Sequence, residues 1–409
     1  MLTPLNGKQI ILGVTGSIAA YKAADLASKM TQMGAKVDVI LTQAARQFIT
    51  PLTFQSVTGR RAYTDEDLWG NEGHVLHIGL AKAADLMVIA PASANTLAHL
   101  AHGMGNNLLL VTALAARCPL LAAPAMDGGM YTHPATQANL ALLRERGVTL
   151  LGPAEGHLAS GMTGIGRMLE PAELLGYIRL ALSRGGPLQG RRVVVSAGGT
   201  QEPIDPVRTI TNLSSGKQGF ALAQAALDMG AEVTLISGPV ALPTPAGAQR
   251  VNVQTAREML EAVLEAAAQA DALVMAAAVA DFRPAVTAGD KIKKEGGVPE
   301  IRLEKTEDIL AAVARQKNAL GRPLVTVGFA AESRDLLQNA RQKLAAKKLD
   351  LIAANDISAP DAGFQVDTNR ITLLYSDGRS EPLPLLSKAE AACEIMNRVA
   401  ALLNTDPQR

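Results

Sequence analysis

Apolar and amphipathic segments alternate along both halves of the chain. Residues 8–42 begin with an apolar run, turn at a glycine, continue with apolar positions three and four residues apart as far as Gly34, and end in a second apolar run. Residues 191–238 repeat this order, with Gly230 before the second run. Short apolar strands that alternate with amphipathic helices are typical of βαβ units in a parallel sheet. The pattern therefore predicts an α/β protein with two doubly wound, Rossmann-like domains.

The segment 182–192, "LSRGGPLQGRR", is predicted to join the two domains. It carries three glycines and a proline between a helical pattern and a new apolar run, and these residue types mark turns and linkers. The expected domains are residues 1–185 and 190–409, and both lie within the usual range of domain lengths.

Charge and cysteine content narrow the classes of partner. The formal net charge is +1, so no basic surface for nucleic acid is indicated. The two cysteines, Cys118 and Cys393, are far apart in sequence, which argues against a disulfide framework and favours a reducing compartment. Arg117 and Pro119 interrupt the longest apolar stretch, and the N-terminus lacks the pattern of a secretory signal. We expect a cytoplasmic protein with no nucleic-acid or membrane partner.

Four predicted strands of the first half end in turns of small and polar residues. The turns contain Gly16 and Ser17, Thr42, the segment "SANT" (93–96), and Asp127. Ligands of parallel sheets bind beyond the carboxyl ends of the strands, so we expect these turns to meet at one rim. The fingerprint G-x-G-x-x-G is absent, and no acidic residue ends the second strand to bind a ribose. A mononucleotide with a phosphate on backbone N–H groups is favoured; a plain strand–helix turn is the alternative.

Two histidines, His74 and His77, precede the third strand of the first half. Imidazole is the side chain best suited to proton transfer near neutral pH. On the residues alone, either histidine could be a catalyst, and either could be a surface or core residue.

The second half contains "NLSSGK" (Asn212–Lys217) at a predicted helix N-terminus. It offers an amide, two hydroxyls and a cation, which suit the charge on a triphosphate and on an acyl transition state. It is not a Walker A loop, because the required first glycine is missing. Lys291, in "DKIKKEGG", could reach a nucleotide from a loop that closes on it, or could belong to a solvated basic turn.

Several segments together resemble two known families. "GSIAAYK", "PASANT" and "PAMDGGMY" resemble the signatures of the flavin-dependent cysteine decarboxylases. "SAGGTQEPIDPVRTITNLSSGKQGFALA", "AAAVADFRP", "KIKK", "GFAAES" and "LIAAND" resemble those of the phosphopantothenate–cysteine ligases. Both sets occur in order over nearly the whole chain, as they do in the bifunctional bacterial proteins of coenzyme A biosynthesis.

This resemblance implies two reactions. The second half would use CTP, with Mg²⁺, to activate 4′-phosphopantothenate as an acyl-cytidylate that cysteine attacks. The first half, with a flavodoxin-like fold of the decarboxylase type, would bind FMN and convert the product, 4′-phosphopantothenoylcysteine, into 4′-phosphopantetheine and CO₂. It also implies FMN between subunits, and a dodecamer built from decarboxylase trimers and ligase dimers. Two alternatives are a ligase whose flavin-binding half lacks turnover, and a decarboxylase of peptide C-terminal cysteines, which leaves residues 190–409 unexplained.

The resemblance also implies roles for individual residues. His77, and not His74, matches the catalytic histidine, Asn212 would bind the acyl-cytidylate, and Lys291 would reach the nucleotide. No metal-ligating cluster is visible. The positions that match flavin contacts are Gly16, Ser17, Ile18, Thr42, Ser93, Ala94, Asn95 and Thr96. Those that match substrate or nucleotide contacts are Met130, Ser214, Ser215, Gly216, Lys217, Asp281, Thr306, Glu307, Asp308, Ile309, Phe329, Lys343 and Lys347.

Two catalytic positions depart from the commonest family pattern. Asp127 stands where asparagine is usual, and Ser160 stands where a flap cysteine is usual. In the family, that cysteine helps to protonate or reduce the ene-thiol intermediate that remains after loss of CO₂. A hydroxyl is a far poorer acid than a thiol, so here the proton would come from reduced flavin and water or from His157. We expect Asp127 to share one proton with the substrate carboxylate and to act as a neutral donor; the alternative is a solvated turn residue.

Overall fold

The computed structural model describes residues 3–69, 75–293, 300–319, 323–332, 335–356 and 367–404. The chain divides into two compact units, an N-terminal unit of residues 2–183 and a C-terminal unit of residues 184–409. Helix α8 of the first unit ends at Leu182, and strand β9 of the second begins at Arg192. Within the described ranges, no helix has the length and apolar character needed to cross a membrane.

A parallel six-stranded sheet forms the centre of the N-terminal unit. Its strands are β1 (Gln9–Val14), β2 (Lys36–Leu41), β3 (Ala62–Tyr63), β4 (Leu86–Ala92), β5 (Leu120–Pro124) and β6 (Thr149–Leu150). An antiparallel hairpin follows, made of β7 (Ala154–His157) and β8 (Thr163–Arg167). The helices are α1 (Ala20–Gln32), α2 (Pro51–Thr58), α3 (Leu76–Ala83), α4 (Ala94–Ala101), α5 (Leu108–Ala115), α6 (Gly128–Thr132), α7 (Pro134–Glu145) and α8 (Pro171–Leu182).

The apolar sequence of β1 reflects burial on both faces of the sheet. Ile10 and Leu12 belong to a core that includes residues of α1 and α8, whereas Ile11 belongs to a second core with residues of α3, α4, α5 and α7. Successive side chains of a strand point to opposite faces, so a strand covered on both sides is apolar throughout. The prediction of a doubly wound parallel sheet is confirmed.

The strand order explains why two fold names describe the same sheet. The order β3-β2-β1-β4-β5-β6 is the classic Rossmann order. Strand β3 has only two residues and lies at the edge. Without it the order reads 2-1-3-4-5, which is that of flavodoxin-like sheets. In both descriptions the order reverses between β1 and β4, where such sheets bind ligands.

The C-terminal unit has an eight-stranded sheet in the order β13-β12-β9-β14-β17-β18-β20-β21. Its first six strands are parallel, and β20 and β21 are added antiparallel. Those strands are β9 (Arg192–Ala197), β12 (Glu232–Ser237), β13 (Ala248–Asn252), β14 (Ala272–Met275), β17 (Val325–Glu332), β18 (Leu351–Asp356), β20 (Ile371–Tyr375) and β21 (Ser380–Pro382).

Three two-stranded sheets and five helices complete the C-terminal unit as described. The sheets pair β10 (Gln201–Asp205) with β11 (Arg208–Thr211), β15 (Phe282–Pro284) with β16 (Leu303–Lys305), and β19 (Thr368–Asn369) with β22 (Leu386–Ser387). The helices are α9 (Lys217–Asp228), α10 (Ala256–Ala267), α11 (Ile309–Ala319), α12 (Leu336–Ala346) and α13 (Lys388–Asn404). The chain order of the large sheet reverses between β9 and β14, so this unit has its own switch point.

Candidate functional site

A cavity of about 420 Å³ lies at the carboxyl ends of β1, β4 and β5 in the N-terminal unit. Three loops and the β7–β8 hairpin form its walls. Of the residues that the sequence singles out, the cavity is lined by Gly16, Ser17, Ile18, Ser93, Ala94, Asp127, Met130, His157 and Ser160. The turns after β1, β4 and β5 therefore meet at one rim, as the parallel topology predicts.

The wall of the cavity carries two cations that share one carboxylate. The Lys22 ammonium is buried and donates to Glu170 Oε1 at 2.8 Å and to the Met168 carbonyl at 3.3 Å. Arg167 forms an ion pair with the same Glu170. The hydrogen bond from Lys22 is the main cause that lowers the pKa of Glu170. Lys22 and Arg167 therefore place two cations, both paired with Glu170, at this wall.

Lys22 is a site residue that reasoning from the sequence did not select. It is the last residue of "GSIAAYK" and lies in the first turn of α1. The sequence feature that could have identified it is a lysine, three residues after Ala19, in the otherwise apolar first turn of a helix that begins at the switch point of the sheet. Buried lysines are rare unless they are paired, and this one joins α1 to the segment after the hairpin.

The two residues that depart from the family pattern touch each other. The Ser160 hydroxyl donates to Asp127 Oδ2 at 2.7 Å, and the Gly129 N–H donates to Asp127 Oδ1 at 3.0 Å. These two hydrogen bonds, the first foremost, hold the pKa of Asp127 below its ordinary value. In the ligand-free chain Asp127 is therefore a carboxylate at neutral pH.

Gly166 fixes the hairpin against the loop that carries Asp127. Its carbonyl accepts the Met126 N–H at 3.1 Å, and its φ is +144°. A Cβ atom at Gly166 would lie 2.2 Å from the Met126 carbonyl oxygen. Only glycine allows this approach without a shift of the backbone.

Gly166→Ala is expected to lower the stability of the N-terminal unit by about 2 kcal/mol, which corresponds to about 5 °C in Tm. Gly164→Ala is the matched control, because a Cβ there meets nothing within 4 Å. Thermal unfolding of the full chain, followed by circular dichroism, compares the two variants. Equal unfolding temperatures would show that the approach of Gly166 to Met126 is not a constraint.

Four predicted residues of the N-terminal unit do not line the cavity. Thr42 is buried in the turn after β2, where its Oγ1 accepts the Ala45 N–H at 3.3 Å. Thr96 is buried in the first turn of α4, and its Oγ1 lies 3.1 Å from Ser93 Oγ. Asn95 is exposed at the start of α4. His77 is half-buried on α3, and His74 lies outside the described residues.

The loop before α9 forms the candidate site of the C-terminal unit. Asn212 Nδ2 donates to the Ala278 carbonyl at 2.8 Å, which ties this loop to the segment that follows β14. Gly216, with a φ of +76°, precedes α9. Its N–H donates to the Ser214 hydroxyl at 3.4 Å, and Ser215 is half-buried beside it. Lys217 begins the helix, and its ammonium lies 2.7 Å from Asp367 Oδ1.

A second group of predicted residues lies after β14 and at the start of α11. The backbone N–H of Thr306 donates to the Asp281 carbonyl at 3.0 Å. Asp308 accepts the Ala311 N–H at 3.0 Å and pairs with Lys347 at 3.1 Å. Burial raises the pKa of Asp308, but these partners outweigh it and the pKa is lowered. Glu307 pairs with Arg315 at 2.9 Å.

The remaining predicted residues have different surroundings. Ile309 is buried in the core, whereas Phe329 and Lys343 are half-buried. Lys291 is exposed, and the next residue, Ile292, is held by the Asp205 carboxylate and by Arg208. Within the described parts of the chain, no group of three or more His, Cys, Asp or Glu side chains could hold a metal ion.

Comparison with known proteins divides the chain in the same two parts. The family model described as Flavoprotein matches residues 2–183, and the model described as DNA/pantothenate metabolism flavoprotein C-terminal domain matches residues 188–403. The chain is similar to the coenzyme A biosynthesis bifunctional protein CoaBC of Vibrio vulnificus, with 48% identity over 98% of this chain and 99% of the relative.

Further similarity extends to a second relative and to a solved structure. The CoaBC protein of Bacillus subtilis is 44% identical over 99% of this chain and 100% of its own. The crystal structure of the C-terminal domain of a CoaBC protein is 38% identical and covers 54% of this chain and all of that domain, with a TM-score of 0.47.

Proposed function

The chain belongs to the family of bifunctional coenzyme A biosynthesis proteins and has its two activities, and from this premise we propose which residues carry each of them. The N-terminal unit is the decarboxylase of 4′-phosphopantothenoylcysteine, and the C-terminal unit is the ligase that makes this compound from 4′-phosphopantothenate and cysteine. The observation that carries the proposal is the near full-length match to bifunctional relatives, with a flavoprotein model on one unit and a pantothenate-metabolism model on the other.

FMN is the cofactor of the N-terminal unit. The cavity has the volume of a small-molecule site. The turn Gly16–Ile18 and the residues Ser93 and Ala94 would hold the flavin with backbone N–H groups and hydroxyls, beside the wall where Lys22 pairs with Glu170. When bound, FMN supplies a reversible two-electron oxidation of the carbon that carries the substrate thiol. This oxidation makes the neighbouring carboxylate easy to lose.

Two side chains of the N-terminal unit handle protons and the substrate. Asp127 takes up a proton when the substrate carboxylate arrives, because two carboxylates at hydrogen-bonding distance share one proton. It then donates a hydrogen bond, as the asparagine of other family members can. His77 lies outside the cavity lining of one chain, which fits a site completed by the His77 of a neighbouring copy in a decarboxylase trimer.

The C-terminal unit binds CTP together with Mg²⁺, which the triphosphate itself would ligate. Lys217, which begins α9 and pairs with Asp367 in the ligand-free chain, and Lys291 would supply positive charge for the phosphates. Asn212 supplies an amide donor for the acyl-cytidylate, which cysteine attacks with loss of CMP. The backbone and side chains at Asp281, Thr306–Ile309, Phe329, Lys343 and Lys347 complete the nucleotide site. Ligase dimers combined with decarboxylase trimers would make a cytoplasmic dodecamer.

A ligase with an inactive flavin-binding half is not favoured. The flavoprotein model covers the N-terminal unit in full, and the bifunctional relatives match it over almost their whole length. Decarboxylation of peptides is not favoured either, because a second enzyme unit follows on the same chain.

The experiment that tests the function uses the intact chain reconstituted with FMN. With 4′-phosphopantothenate, cysteine, CTP and Mg²⁺, we expect CMP, pyrophosphate, CO₂ and 4′-phosphopantetheine. Supplied 4′-phosphopantothenoylcysteine should release CO₂ without CTP. Ligation without CO₂ release from a flavin-containing protein would support the inactive half instead.

The shared proton at Asp127 predicts a pH dependence of decarboxylation. In the free chain the pKa of Asp127 is lowered, so binding of the substrate carboxylate must take a proton from solvent. Above neutral pH this uptake becomes costly, and kcat/KM for CO₂ release should fall by up to about tenfold per pH unit. Asp127→Asn has no proton to take up, and the alkaline fall should flatten.

Asp25→Asn is the control for this pH profile, because Asp25 is an exposed carboxylate of α1 that pairs with Lys29. It should show the wild-type profile. Superimposable profiles for wild type and Asp127→Asn would rule out proton uptake at Asp127.

A further inference from the structure

Ser160 and Asp127 are in contact at the cavity, so a carboxyl group that can carry a proton lies beside a hydroxyl. Both residues line the cavity, and their oxygens are 2.7 Å apart. Ser160 is exposed in the turn between β7 and β8, so its hydroxyl can face both Asp127 and a ligand in the cavity. A serine alone is a poor acid, but a hydroxyl can pass on the proton of a carboxylic acid.

We propose that Asp127 and Ser160 form a proton-carrying pair: the proton that Asp127 shares with the substrate carboxylate passes, once CO₂ has left, through the Ser160 hydroxyl to the carbon that carried the carboxylate. This deepens the decarboxylase function proposed above and rests on it. It assigns the proton source that the replacement of cysteine by Ser160 leaves open.

Loss of CO₂ itself makes Asp127 give up the proton. While the substrate carboxylate is present, its negative charge holds the shared proton on the pair. When neutral CO₂ leaves, this charge moves with the electron pair into the ene-thiolate and no longer lies on a carboxylate oxygen beside Asp127. The hydrogen bonds from Ser160 and Gly129 then favour the ionised form of Asp127 again, as they do in the free chain. Asp127 therefore gives up its proton more readily at the moment when the carbon needs one.

The atoms and electrons of this step balance. The bond between the carboxyl group and its carbon breaks, and the electron pair stays on that carbon as part of the ene-thiolate. The Oγ proton of Ser160 forms the new C–H bond, and the proton of Asp127 moves to Ser160 Oγ. Asp127 ends as a carboxylate. The thioaldehyde that results would then regain, from the reduced flavin, the two electrons removed by the first oxidation, together with the proton that the thiol lost. One proton taken from solvent at binding thus replaces one CO₂, and the overall conversion is redox-neutral.

The other groups around the cavity define the competing source. Tyr21, Lys22, His157 and Arg167 are its remaining titratable or charged lining residues. Lys22 and Arg167 are both engaged with Glu170. His157, on the hairpin strand β7, is the donor that competes with Ser160.

The test measures the ratio of two products, the ene-thiol and 4′-phosphopantetheine, that the enzyme releases after CO₂ has left. FMN-reconstituted full-length variants receive 4′-phosphopantothenoylcysteine, and mass spectrometry separates 4′-phosphopantetheine from the ene-thiol, which is lighter by two hydrogens. Ser160→Ala and Asp127→Asn should each raise the ratio of ene-thiol to 4′-phosphopantetheine by about a hundredfold, the scale of a lost acid catalyst. Asp127→Asn combined with Ser160→Cys should return the ratio toward wild type, because a thiol is itself an acid.

Two controls separate this role from a structural one. Thr163→Ala removes another exposed hydroxyl of the hairpin and should leave the ratio unchanged. In ¹³C NMR titrations of the enzyme without substrate, Ser160→Ala should raise the pKa of Asp127, since its largest lowering cause is lost.

The outcomes distinguish the possible failures. A wild-type ratio for Ser160→Ala, or a raised ratio for His157→Gln but not for Ser160→Ala, would overturn the pair. Absence of CO₂ from the wild-type enzyme would instead refute the decarboxylase function on which the pair rests.

Discussion

Replacement of Asn212 by aspartate is expected to lower ligation by at least about a hundredfold, the cost of losing one donor to a reaction intermediate. The Asn212 amide donates to the Ala278 carbonyl at 2.8 Å. An ionised aspartate cannot donate there, so its oxygens would repel that carbonyl and an anionic acyl-cytidylate. The loop would therefore shift, and the acyl-cytidylate would bind more weakly.

The Asn212→Asp variant is checked by CTP-dependent formation of 4′-phosphopantothenoylcysteine, alongside CO₂ release from that compound when it is supplied. The second rate should match the wild type, because Asn212 belongs to the C-terminal unit. Asn252→Asp makes the same change at an exposed position of β13 and should leave both rates unaffected. Ligation within about threefold of wild type would remove Asn212 from the site.

Replacement of His77 by asparagine should lower decarboxylation by about a hundredfold to ten-thousandfold, the usual range for a general acid or base. Asparagine has a similar size and can still form hydrogen bonds, but it cannot accept and release a proton near neutral pH. Ligation should continue at the wild-type rate, because His77 lies on α3 of the N-terminal unit.

His102→Asn is the matched control for His77. His102 is exposed directly after α4, and its Nε2 atom lies 3.2 Å from Asn139 Oδ1. Its replacement should alter neither activity. Flavin absorbance of each purified variant shows whether FMN is retained. A decarboxylation rate for His77→Asn equal to that of His102→Asn would show that His77 has no role in proton transfer.

The periodicity of the sequence predicted the architecture because burial is encoded residue by residue. Ile10 and Ile11 lie in different cores on opposite faces of one sheet, and a strand buried on both faces must be continuously apolar. The convergence of Ser17, Ser93 and Asp127 on one cavity followed from topology alone, since parallel strands deliver their carboxyl ends to the same edge.

The sequence could not predict contacts that depend on how a hairpin folds back. Ser160 and Asp127 are 33 residues apart, and their hydrogen bond depends on the turn between β7 and β8. The same holds for Lys22 and Glu170, which are 148 residues apart. Such pairs carry no local signature, because no periodicity or spacing relates their positions. Thr42 directly follows β2, as the sequence predicted. Its hydroxyl, however, accepts a hydrogen bond from the Ala45 N–H within its own turn.

The central claim is that two chemically independent sites lie on the two units of one chain. The most direct test mixes equal amounts of the Asn212→Asp and His77→Asn variants, each containing FMN, with 4′-phosphopantothenate, cysteine, CTP and Mg²⁺. Each variant alone should form almost no 4′-phosphopantetheine, and the mixture should form it, because His77→Asn makes 4′-phosphopantothenoylcysteine and Asn212→Asp decarboxylates it. Loss of both half-reactions in either variant, with its oligomeric size unchanged, would contradict two independent sites.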